Sequence, residues 1–380
     1  MNWLVAGAAI PSLLISFFAC FVLRRVAARW DLVDRPGERK VHTKAVPYGG
    51  GLAIWAGVVT TLGLGQLFVE LWARGEIQPA NWLPDAWGSQ LTSFIEPHLS
   101  GLLARSRDLW VFLAGGTVLV VLGWIDDVRK LDWKLRIGVE FLVAAAIVFG
   151  QGWALTFYVD APLLTGAVSV VWIVGLINSI NMLDNMDGLA GGVSAIAATL
   201  LAIVMLITPE ASSQQPQLFV AGFLFVLVGA LIGFLFHNWP PARIFMGDAG
   251  SYFVGYSLAV MTILATFSSS GLPRHSILAP LCVLAVPLYD TLSVICIRLR
   301  AGRSVFEGDT NHFSHRLVAL GLTKLQAVLT IYLTSAACGL GALLLHQVTP
   351  IGALIIVLVN VCLLSVIAIL EMSARRKLRT

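Results

Sequence analysis

Charge is the scarcest ingredient of this sequence. Asp, Glu, Lys and Arg make up 12% of its 380 residues, about half the share usual in water-soluble proteins. That leaves too little polar surface to cover a globule of this size, so a soluble fold is excluded. Cysteine is sparse as well. Cys20, Cys282, Cys296, Cys338 and Cys362 all sit inside apolar runs with no CxxC pair, which points away from a disulfide framework. There is no HExxH motif, no internal repeat and no low-complexity tract. Basic and acidic residues nearly balance, at 25 and 21, and the basic ones form neither stripe nor tail, so no nucleic-acid partner is expected.

What the chain has in excess is apolar length. The AVILMFWYC set reaches 58%, with a mean hydropathy of +0.85. Runs near the roughly 20 residues that cross a bilayer occur at Leu4–Leu23, Gly49–Leu71, Leu109–Ile125, Leu135–Gly150, Leu163–Ile177, Gly188–Thr208, Gln217–Phe236, Gly250–Phe267, Ile277–Ile297, Leu325–His346 and Ile351–Leu370. The expected fold is therefore an all-α polytopic membrane protein, a single domain over residues 1–380 with about eleven transmembrane helices. No Lys or Arg precedes the first run, whereas Arg24, Arg25 and Arg29 follow it, the reverse of a signal peptide. With the N-terminus outside and the C-terminus cytoplasmic, every basic residue except Arg74, Arg105, Arg107 and Arg274 faces the cytoplasm, as the positive-inside rule requires. Trp72, Trp82 and Trp87 mark residues 72–108 as an external interfacial insertion.

Ionisable groups are costly at bilayer depth, so their positions are informative. Asp126-Asp127, Asp184, Asp187, Asp248 and Asp290 all fall at or near the expected cytoplasmic ends of spans. Adjacent carboxylates such as Asp126-Asp127 repel unless a cation intervenes. Either they share a divalent ion, Mg²⁺ being the one that suits a few hard carboxylates plus water and phosphate, or they neutralise Arg129, Lys130 and Lys134. Asn178, Asn181, Asp184 and Asp187 recur every third position before Gly188. On an ideal α-helix such residues spread over about 180°, so a tighter or broken segment is predicted, of a kind tolerated at depth only where it lines a polar cavity. A helix stop followed by a glycine turn is the plainer reading. Asp248, between Gly247 and Gly250, is either the N-cap of the following span or a metal ligand, and the glycines would let a phosphate approach the backbone amides.

The cytoplasmic segment at about 298–324 holds Arg298, Arg300 and Arg303, then His312 and His315, which at i and i+3 can share one helical face. With no thiolate nearby, donation to phosphate suits these residues better than zinc, the alternative being a basic loop that only sets topology. Asp290 either pairs with a cavity group or hydrogen-bonds within the bundle. Gly49-Gly50-Gly51 could admit a lipid headgroup or another helix.

The segments KVHTKAVPYGGG, GWIDDVRKLDWKLR, NSINMLDNMDGLAGG, RIFMGDAGSYFVGY, PLYDTLSVICIRLRAGRS and NHFSHRL, in order from Asp31 to Leu322, resemble the polyprenyl-phosphate N-acetylhexosamine-1-phosphate transferase family. The nearest subgroup transfers GlcNAc-1-phosphate from UDP-GlcNAc to undecaprenyl phosphate. That resemblance implies a UDP-N-acetylhexosamine donor, a polyprenyl phosphate acceptor and release of UMP. It implies Mg²⁺, or Mn²⁺ in its place, and an active site on the cytoplasmic face of the inner membrane; a homo-oligomer stays open. It makes Asp126, Asp127 and Asp187 catalytic candidates and Asp248, Asp184 and Asp187 metal candidates. Substrate-binding candidates are Lys44, Asn178, Asn181, Asp184, Arg298, Arg300, Arg303, His312 and His315. Two features depart from the family pattern. Ser314 replaces one histidine of a His-x-His-His motif, and Lys130 stands where a third acid would complete DDxxD, the next acid being Asp132.

A phosphate monoester with a second pKa of about 6 is already largely deprotonated at neutral pH. Charge neutralisation and in-line positioning, rather than base catalysis, should therefore lower the barrier. Direct displacement is expected, with Asp126 or Asp127 orienting the lipid phosphate; a covalent aspartyl-phosphate is the rival route. The rival functions are a muramoyl-pentapeptide-1-phosphate translocase and a secondary transporter, the latter because acids beside broken helices also mark ion pathways.

Overall fold

The computed structural model describes residues 2–30, 33–34, 45–78, 81, 84–155, 161–208, 216–265, 273–305 and 311–377. The first half comprises α1 (Asn2–Val26), a two-stranded antiparallel ribbon of β1 (Val33–Asp34) and β2 (Val46–Pro47), α2 (Gly50–Ala73), α3 (Asp85–Ile95), α4 (Leu99–Ala104), α5 (Ser106–Arg129), α6 (Trp133–Gln151) and α7 (Pro162–Leu183). There follow α8 (Leu189–Ile207), α9 (Leu218–Asn238), α10 (Gly247–Leu264), α11 (Ala279–Val283), α12 (Ala285–Arg300), α13 (Phe313–Ala319), α14 (Lys324–Leu340) and α15 (Pro350–Lys377).

Among the described residues each of the eleven apolar runs is mainly helix, but helix and membrane span are not the same thing here. Among the described residues eight helices are long and apolar enough to cross a bilayer: α1, α2, α5, α7, α8, α9, α14 with its 3₁₀ extension, and α15. A ninth crossing arises if residues 274–283 and 285–300, bent by 69°, act as one span. The helices α6 and α10 fall short, and for a physical reason. α6 opens with an exposed Lys134 and with Arg136 and Glu140, and α10 opens with Asp248; of these the fold turns Arg136, Glu140 and Asp248 toward the protein. Residues 72–108, expected at the interface, form mainly the end of α2 and the short helices α3 and α4, with Trp87 exposed and Trp82 outside the described residues.

Local chemistry sets the helix limits. Asp132 accepts the Lys134 amide at 3.4 Å and so caps α6; the displaced acid of the DDxxD comparison is thereby a helix cap. Thr323 and Gln326 form a capping box on α14. Helix α10 sits at the centre, its side chains from Ala249 to Thr262 buried. Small residues let its neighbours approach closely, as membrane helices do in the absence of a hydrophobic drive between them. A Cβ on Gly51 of α2 would lie 2.1 Å from the Gly250 nitrogen, and one on Gly255 would lie 2.7 Å from the Ile177 Cα of α7. Of the two occupants considered for the Gly49–Gly51 entrance, the structure places a helix there: Gly51 donates its amide to Met246 O at 2.9 Å.

Candidate active site

Helix ends from three parts of the chain bring the acids together. Asp126 and Asp127 close α5, Asn178 and Asn181 lie in the last turns of α7, Asp184 ends that helix, and Asp248 opens α10. The broken segment expected from the every-third-residue spacing is present. Helix α7 stops at Leu183, and α8 begins after Gly188, whose φ of 78° glycine adopts without a Cβ clash. Both sides of that glycine are clamped: its amide donates to Asn238 Oδ1 at 2.8 Å, and its carbonyl accepts the Tyr332 hydroxyl. Asn238 Nδ2 in turn donates to Ile244 O at 2.8 Å. One buried amide side chain therefore ties the 184–188 break to the strand of chain that leads into Asp248.

Asp248 is not the cap of its own helix. The amides of Asp248 and Ala249 donate to Asp127 at 3.0 and 3.4 Å, so a carboxylate from α5 caps α10. These are the amides offered to phosphate in the sequence reading, and Asp127 already occupies them. The Asp248 carboxylate is thereby released into the site, where Oδ1 accepts Asn181 Nδ2 at 2.7 Å; the same amide reaches Ser251 Oγ at 3.0 Å. Asp127→Ala is expected to lower stability by about 1 kcal/mol, the usual worth of an N-cap. A thermal-shift midpoint equal to that of the parent protein would show that these amides are served otherwise.

Asp126 is more deeply engaged. It is 2% exposed and accepts the Leu131 amide at 2.7 Å, Arg136 Nη1 at 2.7 Å and the Tyr252 hydroxyl at 3.1 Å. Both members of the acidic pair thus hold α5, α6 and α10 together. Asn178 turns to a residue that sequence reasoning passed over, donating to Glu140 Oε2, a carboxylate 1% exposed in α6. A lone acid inside an apolar run was the available signal for Glu140; Arg136 and Tyr252 lie within the segments that carry the family resemblance but had no role assigned, and nothing in the sequence marked Asn238. Asp187 faces a different neighbour, accepting the Ala242 amide at 2.9 Å.

The histidine segment packs against the same break. Asp290, fully buried, holds the histidine segment: Oδ2 lies 2.9 Å from His312 Nδ1, and Oδ1 accepts the Phe313 amide at 2.6 Å. Ser314, in place of the family's histidine, donates its hydroxyl to Asn185 Oδ1. The rings of His312 and His315 are 6.4 Å apart. Arg298 is buried and donates to Val305 O, whereas Arg300 and Arg303 are exposed. Lys44 lies outside the described residues.

Among the described residues no three His, Cys, Asp or Glu side chains form a metal-binding group. The expected trio Asp184, Asp187 and Asp248 therefore does not assemble as a closed cage. A smaller donor set does fit a hard cation. Burial first, and then the charge of Asp248, push the Asp184 carboxyl up to about 7, a cost that a cation beside the two would relieve. Mg²⁺ is held by one or two carboxylates when phosphate and water complete its shell.

Residues 109–266 match the family described as glycosyl transferase family 4. A Bacillus subtilis (strain 168) protein named probable undecaprenyl-phosphate N-acetylglucosaminyl 1-phosphate transferase is 31% identical, over 96% of this chain and 91% of its own length. The chain belongs to that family. Other members similar to it are the decaprenyl-phosphate N-acetylglucosaminephosphotransferase of Mycobacterium tuberculosis (strain ATCC 25618 / H37Rv), 29% identical over 87% of this chain and 79% of that protein, and the undecaprenyl-phosphate alpha-N-acetylglucosaminyl 1-phosphate transferase of Escherichia coli (strain K12), 27% identical over 88% and 83%. In this family 4 chain the matched stretch runs from α5 through α10, and so contains Asp126, Asp184 and Asp248 but not His312 or His315.

Proposed function

We propose that the protein transfers N-acetylhexosamine-1-phosphate, GlcNAc-1-phosphate in the first instance, from a UDP-sugar to a polyprenyl phosphate and releases UMP. The observation that carries the reading is the junction of two half-buried acids, Asp184 at a helix break and Asp248 at a helix start, against the histidine segment. Relatives named for this transfer, aligned over most of the chain, support it. In this reading Asp184 and Asp248 would hold Mg²⁺, which supplies neutralisation of the diphosphate charge when bound. Asp187 and Asn178 belong to the nucleotide-sugar side of the site. Asp126 and Asp127 act by position: one holds Arg136, the other fixes the start of α10 and so the direction of Asp248. His312, with Nδ1 committed to Asp290, keeps Nε2 for a phosphate oxygen, and His315 and the exposed Arg300 and Arg303 add positive charge. Because the acceptor is largely ionised near neutral pH, no general base is required, and direct displacement follows.

In this reading the site faces the cytoplasm at a bacterial inner membrane, supported by the distribution of basic residues, with α6, α10 and the bent pair completing eleven crossings. Purified full-length protein supplied with UDP-GlcNAc, undecaprenyl phosphate and Mg²⁺ is expected to release UMP, and EDTA to stop it. UDP-GalNAc tested alongside resolves the sugar. Movement of solute across vesicles with no UMP release would replace this reading with the transporter.

A further inference from the structure

The histidine segment has three holds, and two have been described: Asp290 on α12 and Asn185 at the helix break. The third comes from the far end of the chain. Arg316 of α13 is 7% exposed, and its Nε donates to Glu371 Oε2 on α15 at 2.9 Å. Its Nη2 donates to Ser293 Oγ at 2.9 Å and its Nη1 to Asn311 O. Tyr289, the neighbour of Asp290, donates its hydroxyl to the same Glu371 oxygen at 3.1 Å, and the guanidinium lies 5.9 Å from its ring centre. Glu371 is 6% exposed, and among the described residues its Oε1 has no hydrogen-bond partner.

A buried, incompletely satisfied carboxylate is expensive unless a cation holds it. Along α15, Ile351, Leu354, Ile355, Leu358, Val359, Val361, Val366, Ile369 and Leu370 are all exposed apolar residues suited to lipid. Glu371 stands at the end of that apolar stretch and points into the protein. Among the described residues its ion partner is Arg316, next to His315 and four positions from His312.

We propose that Glu371 is a positioning residue: through Arg316 the last helix of the chain sets where His312 and His315 stand. This rests on the reading that those histidines bind the phosphates of the donor. The pair acts at a distance from the reacting atoms, so it governs binding of the nucleotide sugar more than the chemical step.

The test uses purified full-length protein. Glu371→Gln, which preserves shape and removes the charge, is expected to raise KM for UDP-GlcNAc about tenfold while kcat stays within twofold, and Glu371→Asp to give the same split more weakly. An unchanged KM in well-folded Glu371→Gln or Glu371→Asp protein would overturn the proposal. Hydrogen exchange separates this from the reaction itself. Faster exchange of residues 311–320 in either variant, with α9 and α10 unchanged, supports the tether, and unaltered exchange there refutes it. Wild-type protein that releases no UMP would defeat the proposed reaction, leaving the tether to be decided by the exchange arm alone.

Discussion

Asp248→Asn is expected to reduce UMP release by about a thousandfold or more, as loss of a metal-holding or charge-stabilising group does in phosphoryl transfer, while leaving the amount of folded protein unchanged. The geometry separates these two effects. Asparagine keeps an Oδ1 that can accept the bond from Asn181, now 2.7 Å, and the helix amides are capped by Asp127 whatever residue 248 carries. Only the negative charge disappears. Turnover is read from UMP release at saturating Mg²⁺ and integrity from size-exclusion chromatography in detergent. Activity within tenfold of the parent protein would remove Asp248 from the metal site.

Gly123→Ala should be among the most damaging single methyl additions around the site. A Cβ there would lie 2.4 Å from the Asp248 carbonyl carbon and from the Ala249 nitrogen. Backbone, unlike a side-chain tip, cannot swing aside. Helix α10 must move away from α5, and the Asp127 bonds to Asp248 and Ala249 span that same gap. Overpacking of this kind costs about 1 to 3 kcal/mol, and a displacement of about 1 Å at reacting groups costs on the order of a hundredfold in rate. Gly138→Ala, where a Cβ meets nothing within 4 Å, is the matched control and should behave like the parent. Equal thermal midpoints and turnover for the two variants would contradict the close α5–α10 contact.

The parts of this protein that sequence makes legible are those where charge interrupts apolar length. Asp126, Asp184, Asp248 and His312 stand out because a chain with 12% charged residues has few reasons to place them there. The break at Gly188 was legible too, since an ideal α-helix cannot turn residues 178, 181, 184 and 187 to one side. Roles were harder to read than positions. Nothing local shows that Asp127 caps a helix 121 residues away, or that Asp126 is spent on Arg136 and Tyr252. Partners such as Glu371 and Asn238 acquire meaning only once distant helices pack. The number of crossings suffers from the opposite problem. Lys134, Arg136 and Glu140 make α6 look too polar for lipid, although Glu140 is buried and Arg136 is bonded to Asp126.

The central claim is that Asp184 and Asp248 share one divalent cation with the donor diphosphate. Pulsed electron paramagnetic resonance on full-length protein loaded with Mn²⁺ and UDP-GlcNAc tests it most directly. The account predicts ³¹P hyperfine coupling to the bound Mn²⁺ that vanishes in Asp248→Asn. Bound Mn²⁺ without phosphorus coupling, or coupling undiminished in that variant, would contradict it.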